Sequence, residues 1–101
     1  MHCSVWRFTG DPDTLERGYL ALIARIPEAN HVLHAAARTP EGLLIFDTCP
    51  SEDAFRSFYA SDATKALFAE HGLVDGVIED FPVIRAYARR SEVTDENWPD
   101  S

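Results

Sequence analysis

Histidine is the side chain best suited to move a proton near neutral pH, because its ordinary pKa lies at about 6.5. Of the four histidines, His34 stands in the middle of a predicted strand, among alanines that leave room beside it. His2 and His31 stand at the starts of predicted strands. His71 precedes the helix-ending Gly72, a position where the helix dipole stabilises a positive charge. His34 is therefore our candidate general base, and the alternative is a hydrogen-bonded structural histidine.

Two other side chains are candidates for contact with a ligand. Trp6 shares one face of the first predicted strand with Phe8, where an indole either stacks on a flat ligand or fills the core. Arg85 lies in the last predicted strand, where a buried guanidinium needs a partner, either Asp47 or an anionic ligand. We take His34, Trp6 and Arg85 as the candidate catalytic residues.

Other kinds of site find little support in the sequence. His31 and His34 lie three residues apart on a predicted strand, which places their rings on opposite faces, so we predict no metal site. There is no glycine-rich phosphate loop, no Ser-x-x-Lys and no Gly-x-Ser-x-Gly motif for a nucleophile. The two cysteines, Cys3 and Cys49, are predicted to be small, reduced, buried side chains.

Composition predicts one globular domain. The chain has 101 residues, 46% of them hydrophobic, and a formal net charge of −8, which disfavours a nucleic-acid partner. No apolar run is long enough for a membrane helix, and the N-terminus lacks the pattern of a signal peptide, so we expect a cytoplasmic protein with no membrane partner. We divide the chain into a domain at 1–90 and an acidic tail at 91–101, in which Trp98 is either incidental or an anchor on a neighbouring subunit.

Strand-forming and helix-capping residues alternate along the domain. Asp11 and Pro12 begin a helix with an apolar stripe that Pro27 ends, Ser51 caps a second helix, and Ser61 caps a third. A Pro-Glu turn joins the second and third predicted strands. We expect His34 to share a face with Ala36 and Arg38, and to lie opposite side chains of the next strand, namely Thr48, Phe46 and Leu44. The predicted strands are 3–9, 31–38, 42–49 and 77–89, the last interrupted near Phe81-Pro82.

This β-α-β-β-α-β order predicts an α+β, ferredoxin-like fold with a four-stranded antiparallel sheet in the order 4-1-3-2. Both helical segments then lie on one face. A strand with one wet face alternates apolar and polar residues, but Leu43-Leu44-Ile45-Phe46 does not. Both faces therefore look apolar, and we expect a second copy to cover the face without helices, as a homodimer.

The run from Leu43 to Ser61 resembles the dimeric α+β barrel superfamily, and within it the antibiotic biosynthesis monooxygenase branch. The shared features are an apolar strand, a capped helix with Ala54-Phe55 and a second aromatic residue, and a Ser-Asp step into another helix. The resemblance covers roughly residues 3–89. It implies a homodimer whose sheets form a barrel, with a pocket in each subunit between sheet and helices.

The resemblance implies oxygenation of an aromatic or polyketide-like ligand without metal or flavin, so we expect no cofactor. Other members degrade haem, but the helix histidine they need corresponds to Phe68 here, and their tryptophan before the cap corresponds to Cys49. Isomerases and cyclases share the fold as well. A domain that only binds a ligand or forms oligomers is the remaining alternative.

Cofactor-free oxygenation needs a base, a group that holds the resulting anion and an apolar pocket that excludes water. We expect His34 to be the base. The residues expected to line the substrate pocket are Phe46, Tyr59, Phe68 and Tyr87. RNA-recognition domains share the element order, but the negative charge and the missing basic-Gly-aromatic signature argue against RNA binding.

Overall fold

The computed structural model describes residues 1–26, 33–88, 91–94 and 96. Strands β1 to β4 form one antiparallel sheet in the order β2-β3-β1-β4, with the helices on one face. The predicted α+β fold and strand order are confirmed. The elements in chain order are β1 (His2–Thr9), α1 (Pro12–Ile23), β2 (His34–Thr39), β3 (Gly42–Cys49), α2 (Glu52–Phe58), α3 (Asp62–Glu70), β4 (Val77–Pro82), β5 (Ala86–Ala88) and β6 (Ser91–Val93).

Each helix begins at a side-chain cap that the sequence predicts. The Asp11 carboxylate accepts from the Thr14 backbone N–H at 3.0 Å, and Pro12 follows at the first helical position, where no N–H is needed. Ser51 and Ser61 cap α2 and α3 in the same way. The division of the second helical segment at Ser61 is therefore confirmed, whereas Pro27 lies outside the described residues.

α1 and the end of α3 approach each other closely at Gly18. A β-carbon built at Gly18 would stand 2.1 Å from the carbonyl oxygen of His71, well inside van der Waals contact. Only a residue without a β-carbon fits there. Gly18 thus serves the packing of α1 against the C-terminal end of α3.

The two faces of the sheet have different surroundings. The helix-covered face holds the main core, which includes Trp6, Phe8, Leu15, Leu22, Leu43, Ile45 and Phe68. The other face, which we call the outer face, carries Val5, Leu44, Phe46, Val77 and Phe81. It also carries an Arg7–Glu79 ion pair. Val77 is 63% exposed and Phe81 50% exposed, so a single chain leaves apolar surface on this face in water.

The last predicted strand is in fact two strands with different partners. β4 lies at the sheet edge and ends at Pro82, which has no N–H to continue the ladder. β5 then pairs with β6 in a separate two-stranded sheet, with Ala86 opposite Val93. The boundary we placed at residue 90 falls between these two strands, and Trp98 lies outside the described residues.

Candidate functional site

The β2–β3 hairpin sets the position of His34. Thr39 pairs with Gly42, so Pro40 and Glu41 form a two-residue turn and His34 lies directly opposite Asp47. Our expectation that His34 shares a face with Thr48, Phe46 and Leu44 is wrong by one residue, and a slip of one residue exchanges the faces of a strand. His34 instead lies on the helix-covered face, where its Nδ1 is 3.3 Å from Oδ2 of Asp47.

Tyr19 approaches the other ring nitrogen of His34 from α1. The Tyr19 hydroxyl lies 2.5 Å from Nε2 of His34, and the two rings are nearly parallel, with an interplanar angle of 8°. The Asp47 carboxylate favours the tautomer with the proton on Nδ1, so Nε2 accepts the hydrogen bond from Tyr19. Burial, with the nearby charge of Asp47, raises the pKa of Tyr19, which keeps its hydroxyl protonated as a donor.

Tyr59 holds the carboxylate of Asp47. Its side chain is buried, and its hydroxyl donates a hydrogen bond to Asp47, which also accepts from the Thr48 backbone N–H at 2.8 Å. Burial first, and then the negative charge of Asp47, raise the pKa of Tyr59 far above its usual range. Tyr19, His34, Asp47 and Tyr59 thus form one chain of polar contacts, which we call the polar chain.

The polar chain faces a cavity between the sheet and the helices. Most of the other lining side chains are apolar, namely Trp6, Leu22, Ile23, Ile26, Ile45 and Phe68. The atom-free space measures about 370 Å³, but the centre of a water-sized sphere can move through only about 20 Å³ of it. As it stands, the cavity has room for about one water molecule.

An aromatic pair forms one wall of this cavity. The rings of Trp6 and Phe68 stack with their centroids 4.3 Å apart and their planes inclined by 27°. Trp6 is 6% exposed, so it belongs to the core and lines the cavity at the same time. The structure therefore brings together four of the residues expected at the site: His34, Trp6, Tyr59 and Phe68.

Three other expected site residues lie elsewhere. Phe46 pairs with Val5 and points to the outer face. Arg85 is exposed and forms an ion pair with Glu92 at 3.0 Å, so Asp47, one of the two partners considered for it, is wrong. Tyr87 is 54% exposed and does not line the cavity. Arg85 and Tyr87 are misplaced for one reason, since the last strand of the main sheet ends at Pro82 and does not reach them.

Tyr19 and Asp47 are the site residues that sequence reasoning missed. Tyr19 is the one polar tip in the apolar stripe of α1 that the sequence predicts. Asp47 is a carboxylate inside an apolar strand, and we interpreted it only as a possible partner of Arg85. The correct pairing register of the β2–β3 hairpin places it directly opposite His34.

Within the described part of the chain, no group of three or more His, Cys, Asp or Glu side chains could hold a metal ion. No described helix is long and apolar enough to cross a membrane.

Comparison with known proteins identifies a shared fold. No family model matches the chain, and no curated protein matches it significantly. Among solved structures, the chain is similar to a mutant of SnoaB, a cofactor-independent oxygenase from Streptomyces nogalater. The TM-score is 0.59 and the identity 22%, over 84% of this chain and 94% of the other. The chain therefore has the ferredoxin-like α+β fold of that oxygenase.

Proposed function

We propose that the chain is a small-molecule enzyme, a cofactor-independent monooxygenase of a flat aromatic or polyketide-type substrate. The observation that carries this proposal is the His34–Asp47 pair in an otherwise apolar cavity between sheet and helices. Such a pair supplies a base where water is excluded, which this reaction class requires. The fold shared with SnoaB, itself a cofactor-independent oxygenase, supports the same reaction class.

In this proposal His34 removes a proton from the substrate through Nε2. Asp47, 3.3 Å from Nδ1, orients the ring and stabilises the imidazolium that forms. Tyr59 in turn fixes Asp47 through its hydrogen bond. A positioned general base contributes a rate factor of about 10² to 10⁴.

The reaction balances without a cofactor, because the substrate supplies the electrons. Loss of a proton from an activated ring methylene gives a carbanion, which passes one electron to dioxygen. The resulting radical and superoxide combine into a carbon-bound peroxide anion, which takes back the proton held by His34. Loss of water from this peroxide converts the methylene to a carbonyl, so one oxygen atom enters the product and the other leaves as water. The Trp6–Phe68 wall offers a flat aromatic surface for such a ring system.

We also propose that the working unit is a homodimer. The outer face is apolar at Val5, Leu44 and Phe46, and Val77 and Phe81 on it are at least half exposed in one chain. A second copy that packs its own outer face there buries this surface on both chains, as a two-fold interface does.

The test is oxygen uptake and quinone formation with anthrone, a flat ketone with an acidic methylene. We expect His34→Gln to lower kcat by about 10²-fold or more, because it removes the base. Trp6→Phe is expected to raise KM, because it reduces the aromatic wall. His71→Gln, which changes a histidine outside the cavity, is the matched control and should retain the wild-type rate. Equal rates of anthrone oxidation for His34→Gln and wild type would contradict the proposed function.

A second candidate is a domain that binds a ligand without catalysis, and the observation favouring it is the narrow free space of about 20 Å³. It predicts saturable binding of aromatic compounds with no oxygen uptake and no product. An isomerase or cyclase of the same fold would use the same base and give product without consuming oxygen.

A further inference from the structure

The proposed base is already occupied by a side chain of the same protein. The Tyr19 hydroxyl donates a hydrogen bond to Nε2 of His34 at 2.5 Å. This is the ring nitrogen that does not face Asp47. A substrate that gives its proton to His34 needs this same lone pair. Tyr19 and the substrate therefore compete for one atom.

Tyr19 also fills space that a ligand needs. Its ring lines the cavity and lies nearly parallel to the imidazole, with centroids 5.9 Å apart. The backbone of α1 is held on both sides of it, by the buried Leu15 and Leu22 and by the close approach of Gly18 to His71. Tyr19 itself is only half-buried, so its side chain has a way out towards solvent while the helix stays in place.

We propose that Tyr19 is a built-in competitor that a hydroxyl-bearing flat aromatic ligand displaces from His34. The chemistry of the ligand follows from the group it replaces, a ring with an O–H donor directed at Nε2. The inference rests on the proposed function, because it concerns the same cavity and base. It explains why the cavity holds only about one water molecule while Tyr19 is in place.

The experiment measures binding of naphthol and of its methyl ether, methoxynaphthalene, under argon by titration calorimetry. The ether has the same ring system but no O–H to donate. Tyr19→Phe removes the competing hydroxyl, so we expect naphthol to bind about threefold to tenfold more tightly than to wild type, the value of one hydrogen bond. The ether must displace Tyr19 as well and should gain by a similar factor, but because it has no O–H to donate it should bind every variant that keeps His34 more weakly than naphthol. In the double variant Tyr19→Phe with His34→Phe, the acceptor is gone, so naphthol should lose its advantage over the ether.

Tyr87→Phe is the matched control, since it removes an exposed tyrosine hydroxyl outside the cavity and should change neither affinity. The proposal is overturned if Tyr19→Phe leaves the naphthol affinity unchanged or lowers it, if the ether binds the proteins that keep His34 as tightly as naphthol does, or if neither probe binds any variant. Should Tyr19→Phe not fold, as judged by its thermal transition, Tyr19→Leu gives the same comparison. Binding under argon involves no turnover, so an absence of oxygenase activity would overturn the proposed function and leave this result standing.

Discussion

His34 and Asp47 face each other across the β2–β3 ladder, with Nδ1 of the imidazole 3.3 Å from Oδ2 of the carboxylate. Both side chains lie under the helices, in a cavity whose other walls are mostly apolar. A carboxylate at this distance favours the proton on Nδ1, which leaves Nε2 to accept one. The base, its orienting group and the surrounding apolar walls therefore come from one hairpin and the helices above it.

Replacing Asp47 by asparagine tests the orienting role. Asp47→Asn keeps the shape but removes the charge that stabilises the imidazolium, so we expect kcat with anthrone to fall at least about tenfold while KM changes little. Steady-state kinetics measure both constants. Glu79→Gln, which neutralises an exposed carboxylate on the outer face, is the control and should keep wild-type kinetics. A rise in KM with kcat unchanged would contradict the orienting role of Asp47.

Tyr59→Phe tests the support of Asp47 through stability. The change leaves a buried carboxylate without one of its donors, so the free energy of unfolding should fall by about 1 to 3 kcal/mol. Urea unfolding at neutral pH measures it. Tyr87→Phe removes an exposed hydroxyl and should stay within about 0.5 kcal/mol of wild type.

The same tyrosine makes stability depend on alkaline pH. The pKa of Tyr59 is raised in the folded chain by burial, so above about pH 10, the ordinary tyrosine pKa, the unfolded chain loses this proton first. The unfolded state then binds fewer protons than the folded state, and stability falls as pH rises. Urea midpoints between neutral and alkaline pH should fall less steeply for Tyr59→Phe than for wild type. Identical slopes for the two proteins would be inconsistent with the shift.

Gly18→Ala tests the packing of α1 on α3. In an exposed helix this change gains about 1 kcal/mol, but here the added β-carbon meets the His71 carbonyl, so we expect a net loss of about 1 to 3 kcal/mol. Thermal and urea unfolding measure it. Ala21→Gly at an exposed position of α1 isolates the propensity effect and should cost about 1 kcal/mol. A stabilised Gly18→Ala variant would show that the helices are farther apart.

Light scattering tests the homodimer. We expect a mass near twice 11.3 kDa at micromolar concentration. Phe46→Glu places a charge in the outer face and should shift the mass towards one chain, because burying an unpaired charge is costly. Leu20→Glu is the control, since Leu20 is an exposed apolar residue of α1, away from the sheet. A wild-type mass of one chain would contradict the dimer.

Local patterns in the sequence predict most of this fold, because caps and turns act within a few residues. Asp11, Ser51 and Ser61 each start a helix where the sequence places one. The candidate site depends on contacts between residues far apart in the sequence. There the predicted strand register is off by one residue, so the sequence does not predict the His34–Asp47 pair. Arg85 and Tyr87 are misplaced because a strand pattern does not show where one strand ends or which partner the next one has. β4 ends at Pro82, and β5 pairs with β6.

Hydrogen exchange at the methylene of anthrone tests the base itself, without oxygen. Under argon in D₂O, a positioned His34 should speed the replacement of these hydrogens by deuterium, which NMR follows directly. We predict that the wild-type protein accelerates exchange about 10²-fold or more over His34→Gln, while His71→Gln matches wild type. Exchange at the same rate with wild type, with His34→Gln and with buffer alone would contradict the assignment of His34 as the base.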